Sequence, residues 1–294
     1  MDALTLVNRA GGGEDDSEDR RARTEAALAG AGIVGPVELV DGADLRDRAG
    51  QAVTDGVPLL VIGGGDGSVS TAAGEAAGTG TRLGILPMGT LNHFARDLGI
   101  PLDLDQAARL IASGAERRVD VGMLGERAFI NNLAIGLYPL MLVDREGQQR
   151  RLGRSKRLAM LVASLRTMRR FHAQRLILTI DGGEARTETP LLFVGNNAYH
   201  LALPGAGRRD ALDQGRLCVV VMRSKGVPGF LAATVRALVG LGRPEDMEQW
   251  EAQNLRVDSS SKRLTVAIDG ESATVETPFD ISIRPRALNV IAPL

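Results

Sequence analysis

Two glycine-bearing polar segments lie close together in this chain of 294 residues. The first is Gly63-Gly64-Gly65-Asp66-Gly67-Ser68 and the second is Pro87-Met88-Gly89-Thr90-Leu91-Asn92. A glycine has no Cβ to keep the backbone away from a charged oxygen, so backbone N–H groups at such a turn can converge on a phosphate. A carboxylate among them, Asp66, does not suit a naked phosphate; it can act on a metal ion or order the loop. A tight turn between a strand and a helix uses the same residue types, so one segment alone leaves both readings open. A third stretch, Asp269-Gly270-Glu271, reads from its residues as a hairpin turn with an acidic tail.

The surrounding residues predict the elements that carry these segments. Leu59 to Ile62 is an apolar run suited to a buried parallel strand, and Val69 to Ala77 reads as a helix. Leu83 to Leu86 is a second such strand. Upstream, strands at Ala3–Val7 and Val37–Val40 alternate with helices at Asp15–Ala31 and Ala43–Ala52, and Leu104–Ser113 is a further helix. That alternation predicts an α/β N-terminal domain, a parallel sheet with flanking helices, with ligands at the C-terminal ends of its strands. The texture then changes. Arg118–Gly122, Ala128–Ala134, Arg175–Ile180, Glu188–Gly195, Leu217–Met222, Arg263–Ile268 and Phe279–Arg284 are short runs bounded by Gly, Asp or Pro. They predict a mainly antiparallel second domain, a β-sandwich or open barrel, with the boundary near residue 122.

The run GGDGS followed by GILPMGTLNHFARDLGIP resembles the catalytic domain of the diacylglycerol kinase family, which also includes sphingosine kinases and bacterial lipid kinases. The usual pattern is GGDGT, then PxGTxNDFAR. Ser68 keeps the hydroxyl of the Thr, and His93 replaces the Asp after Asn92. GGDG alone is shared with NAD kinases and phosphofructokinases; GTLNHFARDLGIP points to the lipid-kinase branch. The family's NPxSG loop falls on Asn8-Arg9-Ala10-Gly11-Gly12, where Asn8, Gly11 and Gly12 take matching positions and Arg9 and Gly11 depart from the Pro and the Ser. Its VGN…PxA…LDDG segment is similar to Val194-Gly195-Asn196, Pro204, Ala206 and Leu212-Asp213-Gln214-Gly215. There an acidic residue before the last Gly helps hold a structural magnesium. Gln214 stands in that place, a poorer magnesium ligand than a carboxylate, and leaves Asp213 as the candidate metal ligand.

The resemblance implies two domains with the nucleotide in the cleft between them. They would span residues 1–122 with 285–294 returning, and 123–284. It implies ATP and Mg2+ as cofactors and a lipid alcohol such as diacylglycerol as substrate. Asn8, Gly11, Gly12, Gly64, Gly65, Gly67, Ser68, Thr90 and Asn92 would contact the nucleotide. Asp66 would act on its magnesium or order the loop, and Glu271 of the DGE motif would be the catalytic base. Two other readings stay in view. One is a soluble small-molecule kinase resembling NAD kinases, against which Asn92-His93-Phe94-Ala95-Arg96 argues. The other is a nucleotide- or lipid-binding protein without activity, kept open by Ser68, His93 and Gln214.

The net charge of -1 excludes a bulk attraction to nucleic acid or anionic lipid, so no nucleic-acid partner is expected and any such contact must be a local patch. The single cysteine, Cys218, sits in an apolar run and suits a reducing cytoplasm. The N-terminus has no signal-peptide pattern, and no apolar run reaches the roughly 20 residues of a membrane span. The arginine-dense Gln148–His172 and the apolar Val227–Leu241 read as helices that either lie on a membrane face or cover the sandwich. Peripheral contact at the inner membrane face and a homodimer are therefore left open.

Overall fold

The computed structural model describes residues 2–9, 17–136, 173–223, 226–243 and 245–294. Its first part alternates strand and helix. The order is β1 (Leu4–Asn8), α1 (Ser17–Gly30), β2 (Val37–Val40), α2 (Leu45–Thr54), β3 (Leu59–Gly64), α3 (Asp66–Ala76), β4 (Arg82–Pro87), α4 (His93–Asp97) and α5 (Leu104–Ser113). Strands β2, β1, β3 and β4 pair in that order, all parallel. All six residues of β3 are buried, as a parallel strand covered on both faces requires. Helices α1 and α5 pack together, as do α2 and α3.

The second part holds β5 (Ala115–Leu124), β6 (Arg127–Phe129), β7 (Asn132–Gly136), β8 (Gln174–Ile180), β9 (Gly183–Thr189), β10 (Leu191–Asn196) and β11 (Leu217–Met222). Then come α6 (Gly226–Leu238), β12 (Met247–Ala252), β13 (Asn254–Ser259), β14 (Arg263–Ile268), β15 (Glu271–Glu276) and β16 (Phe279–Ala292). An antiparallel sheet runs β12-β11-β10-β7-β14-β15. Its partner is continuous with the parallel sheet. Strand β16 lies parallel to β4 through Asn289 and Val290, and antiparallel to β13 and β5. Strands β8 and β9 extend the same sheet beyond β13. Phe129, Leu133, Ile135, Leu178, Val194, Val219, Val257, Val266 and Ile281 form the sandwich core. The architecture is thus an α/β layer and an antiparallel β-sandwich that share one sheet.

Several boundaries differ from expectation for local reasons. Helix α3 begins at Asp66, so Asp66, Gly67 and Ser68 form its first turn instead of a preceding loop. The Ala128–Ala134 run divides into β6 and β7. The Glu188–Gly195 run breaks at Pro190, which lacks the N–H a ladder needs. Strands β12, β13 and β15 carry too many charged and amide side chains to show an apolar run, since one face of each is wet. Gln148–His172 lies outside the described residues. Among the described residues no helix is long and apolar enough to cross a membrane.

Candidate active site

Strands β1, β3 and β4 are neighbours, so their C-terminal ends deliver Asn8, Gly64–Ser68 and Pro87–Asn92 to one edge of the sheet. These loops bond to one another directly. Asn8 Nδ2 donates to Ser68 Oγ at 2.8 Å, and Met88 N donates to Gly64 O at 2.9 Å. Gly65 and Gly89 meet backbone to backbone, for a Cβ built on Gly65 would stand 3.2 Å from Gly89 Cα. Larger residues at this pair would force the two loops apart.

Asp66 joins the loops most firmly. Its Oδ2 accepts from His93 N and its Oδ1 from Phe94 N, each at 3.0 Å. The carboxylate therefore anchors the start of α4, where those donors have no partner within the helix. Asn131 Nδ2 approaches the same Oδ1 at 3.4 Å. Asn92 has a left-handed backbone, φ 50°, and turns its side chain back on its own loop. Its Oδ1 accepts from Gly89 N and its Nδ2 donates to Gly89 O, both at 2.9 Å. Thr90 is exposed on the same loop. Gly11 and Gly12 lie outside the described residues.

The hairpin β14–β15 brings in the third motif. Asp269 and Gly270 have φ of 47° and 85°, the two left-handed residues of a two-residue hairpin turn. Asp269 faces inward. It accepts from Ser70 Oγ at 2.5 Å and from the backbone N–H groups of Ile130, Asn131 and Asn132 at 2.8 to 2.9 Å. The tip of the hairpin is thereby fixed to α3, and Glu271 comes to rest beside the first turn of that helix. A Cβ on Gly67 would stand 2.9 Å from Glu271 Oε1. Arg127 Nη2 donates to Glu271 Oε2 at 3.1 Å. The structure thus brings Glu271 and the glycine motif into contact although 200 residues of chain separate them.

Asp213 is not part of this group. It is exposed, with Arg286 Nη2 at 3.9 Å as its charged neighbour. No cluster of three or more His, Cys, Asp or Glu side chains exists among the described residues. The fully buried carboxylate nearby is Asp120, which accepts from Gly215 N at 2.6 Å and Arg286 N at 2.7 Å and so pins the 213–215 turn to β16.

Sequence reading missed the residue at the centre of the assembly. Arg209 is buried, and its side chain is 0% exposed. Its Nε donates to Asp97 Oδ2 at 2.8 Å, its Nη1 to Ile130 O at 2.6 Å and Asn196 O at 3.1 Å, and its Nη2 to Asn131 Oδ1 at 2.8 Å. The guanidinium also stands over the rings of Tyr199 and Phe94. It ties α4 to β10 and to the Asn131 turn. No local pattern marks such a residue, because its partners are remote in sequence; Arg208-Arg209-Asp210 reads simply as a charged loop.

Tyr199 Oη donates to Asn131 O at 2.9 Å. Burial pushes its hydroxyl from 10.0 up to about 12, with the Arg209 cation pulling the other way. An acid whose folded pKa is raised contributes stability that is complete below the unfolded pKa and is lost as pH rises through the folded one. The wild-type unfolding free energy should therefore fall between pH 10 and about 12. Urea unfolding across that range should show a shallower decline in Tyr199→Phe, and equal slopes would refute the assignment.

Next to this network lies a cavity of about 390 Å³. His93, Asn131 and Asn132 form a polar end. Leu191, Phe193, Val220, Met222 and Met247 give it an apolar body, and Phe230, Thr234 and Ala237 of α6 close one side. Glu271 does not line this cavity; it stands in a small polar recess with Arg46, Gly67, Ser70 and Arg127.

Known proteins resemble the chain over both of its parts. A family model for the diacylglycerol kinase catalytic domain matches residues 2–124, and one for the YegS C-terminal NAD kinase beta sandwich-like domain matches residues 142–292. A diacylglycerol kinase of Staphylococcus aureus is 31% identical over 256 residues, covering 85% of this chain and 79% of that protein. An uncharacterized protein of Synechocystis is 28% identical and longer, so that this chain spans 57% of it. The solved structure of a diacylglycerol kinase from Bacillus anthracis superposes with a TM-score of 0.72 over 99% of this chain and 96% of that one; at 22% identity it speaks for the fold. With both of its halves matched in order, and with a relative alike over most of its length, the chain belongs to the diacylglycerol kinase family.

Proposed function

We propose that the protein is an ATP-dependent lipid kinase that phosphorylates the hydroxyl of diacylglycerol or a related lipid alcohol. The observation that carries this reading is the contact of Gly67 with the Glu271 carboxylate, which sets a phosphate-binding turn against a proton acceptor. Phosphoryl transfer asks the protein for positioning and charge neutralisation more than for covalent chemistry.

ATP with magnesium supplies the transferable phosphoryl group and part of its charge neutralisation. The chain's own residues supply the rest. Gly64, Gly65, Gly67 and Ser68 present backbone and hydroxyl donors at the N-terminus of α3, whose dipole favours anions there. Asn8 holds the Ser68 hydroxyl, and Thr90 and Asn92 shape the opposite loop. Asp66 keeps that loop in register, and its remaining lone pairs suit a nucleotide-borne magnesium, which needs only one or two carboxylates beside phosphates. Glu271 accepts the proton of the acceptor hydroxyl. A carboxylate so near phosphate-binding donors is a repulsive choice unless it is compensated, and Arg127 and the helix terminus compensate it. The apolar body of the cavity suits acyl chains, with the head of the acceptor at Asn131 and Asn132, the end of the cavity that bonds to Asp269 two residues from Glu271.

The test is transfer of labelled γ-phosphate from ATP, with magnesium, to a panel of diacylglycerol, sphingosine, ceramide, phosphatidylglycerol and NAD. Label on a lipid, lost in Glu271→Gln, supports the reading and names the acceptor. Label on NAD alone, or ATP binding without transfer to any acceptor, overturns it. Asp66→Ala should lower turnover by about 100-fold, a catalytic loss of the size seen when a positioned polar group is removed. It should also cost about 1 kcal/mol of stability as α4 loses its anchor. Turnover by Asp66→Ala within twofold of wild type would remove Asp66 from the mechanism.

A further inference from the structure

Helix α6 is apolar on both sides. Of its 13 residues only Arg236 is charged, and Asp246 holds that guanidinium, with Arg236 Nε donating to Asp246 Oδ2 at 2.8 Å. Its inner side, Phe230, Thr234 and Ala237, is a wall of the apolar cavity, and Ala233 is fully buried. Its outer side is exposed: Leu231 is 44% accessible and Val235 58%. The stripe continues past the helix through Val239 at 55% and Leu241 at 68%. The turn at Gly240 packs near Ala202, which brings Leu203, 62% accessible, beside the end of the stripe. A helix apolar all round is ordinarily covered on every side. Here one helix thickness separates an apolar cavity from an exposed apolar surface.

We infer that Leu203, Leu231, Val235, Val239 and Leu241 form a docking surface for a lipid leaflet, into which their side chains dip. The apolar cavity directly behind α6 selects that occupant. The lipid substrate proposed for that cavity has to come from a leaflet, and this face sets the leaflet one helix away from the apolar lining that would take its acyl chains. The ion pair with Asp246 compensates the one charge on the helix that would oppose its insertion. Exposed Arg208 and Arg243, the latter with Glu245 at 3.3 Å, stand on the neighbouring segments, where headgroups would lie. This inference rests on the proposed lipid substrate for its purpose, but membrane binding itself requires no catalysis.

The test is sedimentation of the full chain with vesicles of phosphatidylcholine, and of phosphatidylcholine with phosphatidylglycerol. Val235→Glu and the Leu231→Glu, Val239→Glu double variant change exposed side chains only, so both should fold, which thermal melting checks. The wild type should sediment with vesicles, and the variants should bind about tenfold more weakly or not at all. Turnover of a short-chain, water-soluble diacylglycerol should stay within twofold of wild type while turnover of vesicle-borne acceptor falls. Equal vesicle binding by wild type and variants overturns the inference. So does a wild type that ignores vesicles and elutes as a dimer that the variants dissociate, since a second copy would then be the cover. Vesicle binding that the variants lose, without phosphorylation of any lipid, leaves the surface standing and removes the kinase reading instead.

Discussion

Glu271→Gln should lose phosphoryl transfer, with kcat lowered by roughly 100- to 10,000-fold, the usual range for a general base. The amide keeps the size and planarity of the side chain but cannot accept the proton of a hydroxyl. ATP affinity should remain within a few-fold, because the phosphate donors at α3 are untouched. Arg127 Nη2 can still donate to the remaining carbonyl oxygen in place of Glu271 Oε2 at 3.1 Å. Steady-state kinetics beside a direct ATP titration separate the two effects. A variant that turns over like the wild type would show that the proton leaves by another route. One that no longer binds ATP would place Glu271 in nucleotide binding.

Arg209→Met should destabilise the fold by roughly 3–5 kcal/mol, the cost of removing one partner from a buried ion pair. Asp97 is left behind with its side chain 4% exposed, and the carbonyls of Ile130 and Asn196 lose a shared donor. Chemical denaturation reads the loss. The Arg209→Met, Asp97→Leu double variant should recover part of it through a coupling of about 0.5–3 kcal/mol, since no charge is then stranded. Recovery will be incomplete because Ile130 O is left with Asn196 Nδ2 as its side-chain donor and Asn196 O loses the Arg209 donor. If the single and double variants are equally unstable, the pair contributes nothing beyond its packing. Arg209 is a positioning residue: α4 rests on it, and through Asp66 so does the loop from Gly89 to Asn92.

What could be read in the sequence, and what could not, follows the range of the forces involved. The segments at Gly63–Ser68 and Pro87–Asn92 declared themselves because close backbone approach needs glycine, and that need is written locally. Strands β2, β3 and β4 and helix α5 were legible for the same reason: apolar runs are local signals. Asp269 was legible only as a turn residue. Its other work, holding three backbone N–H groups and Ser70, depends on segments 139 and 199 residues away. Arg209, Asn131 and Asp120 were invisible because a charged or amide residue in a loop or a strand looks the same whether it faces water or a buried partner. Strands β12 and β15 escaped because a half-wet strand spends every other residue on solvent.

Strand β16 runs 14 residues, begins beside β13 in the sandwich and ends beside β4 in the parallel sheet. The stretch 2–124, which the family comparison treats as one unit, therefore cannot close its own sheet. Cut off there, β4 would present an unpaired edge and β5 would lose the strand it pairs with along most of its length. On a ribosome the N-terminal half would keep that open edge until β16 emerges to seal it.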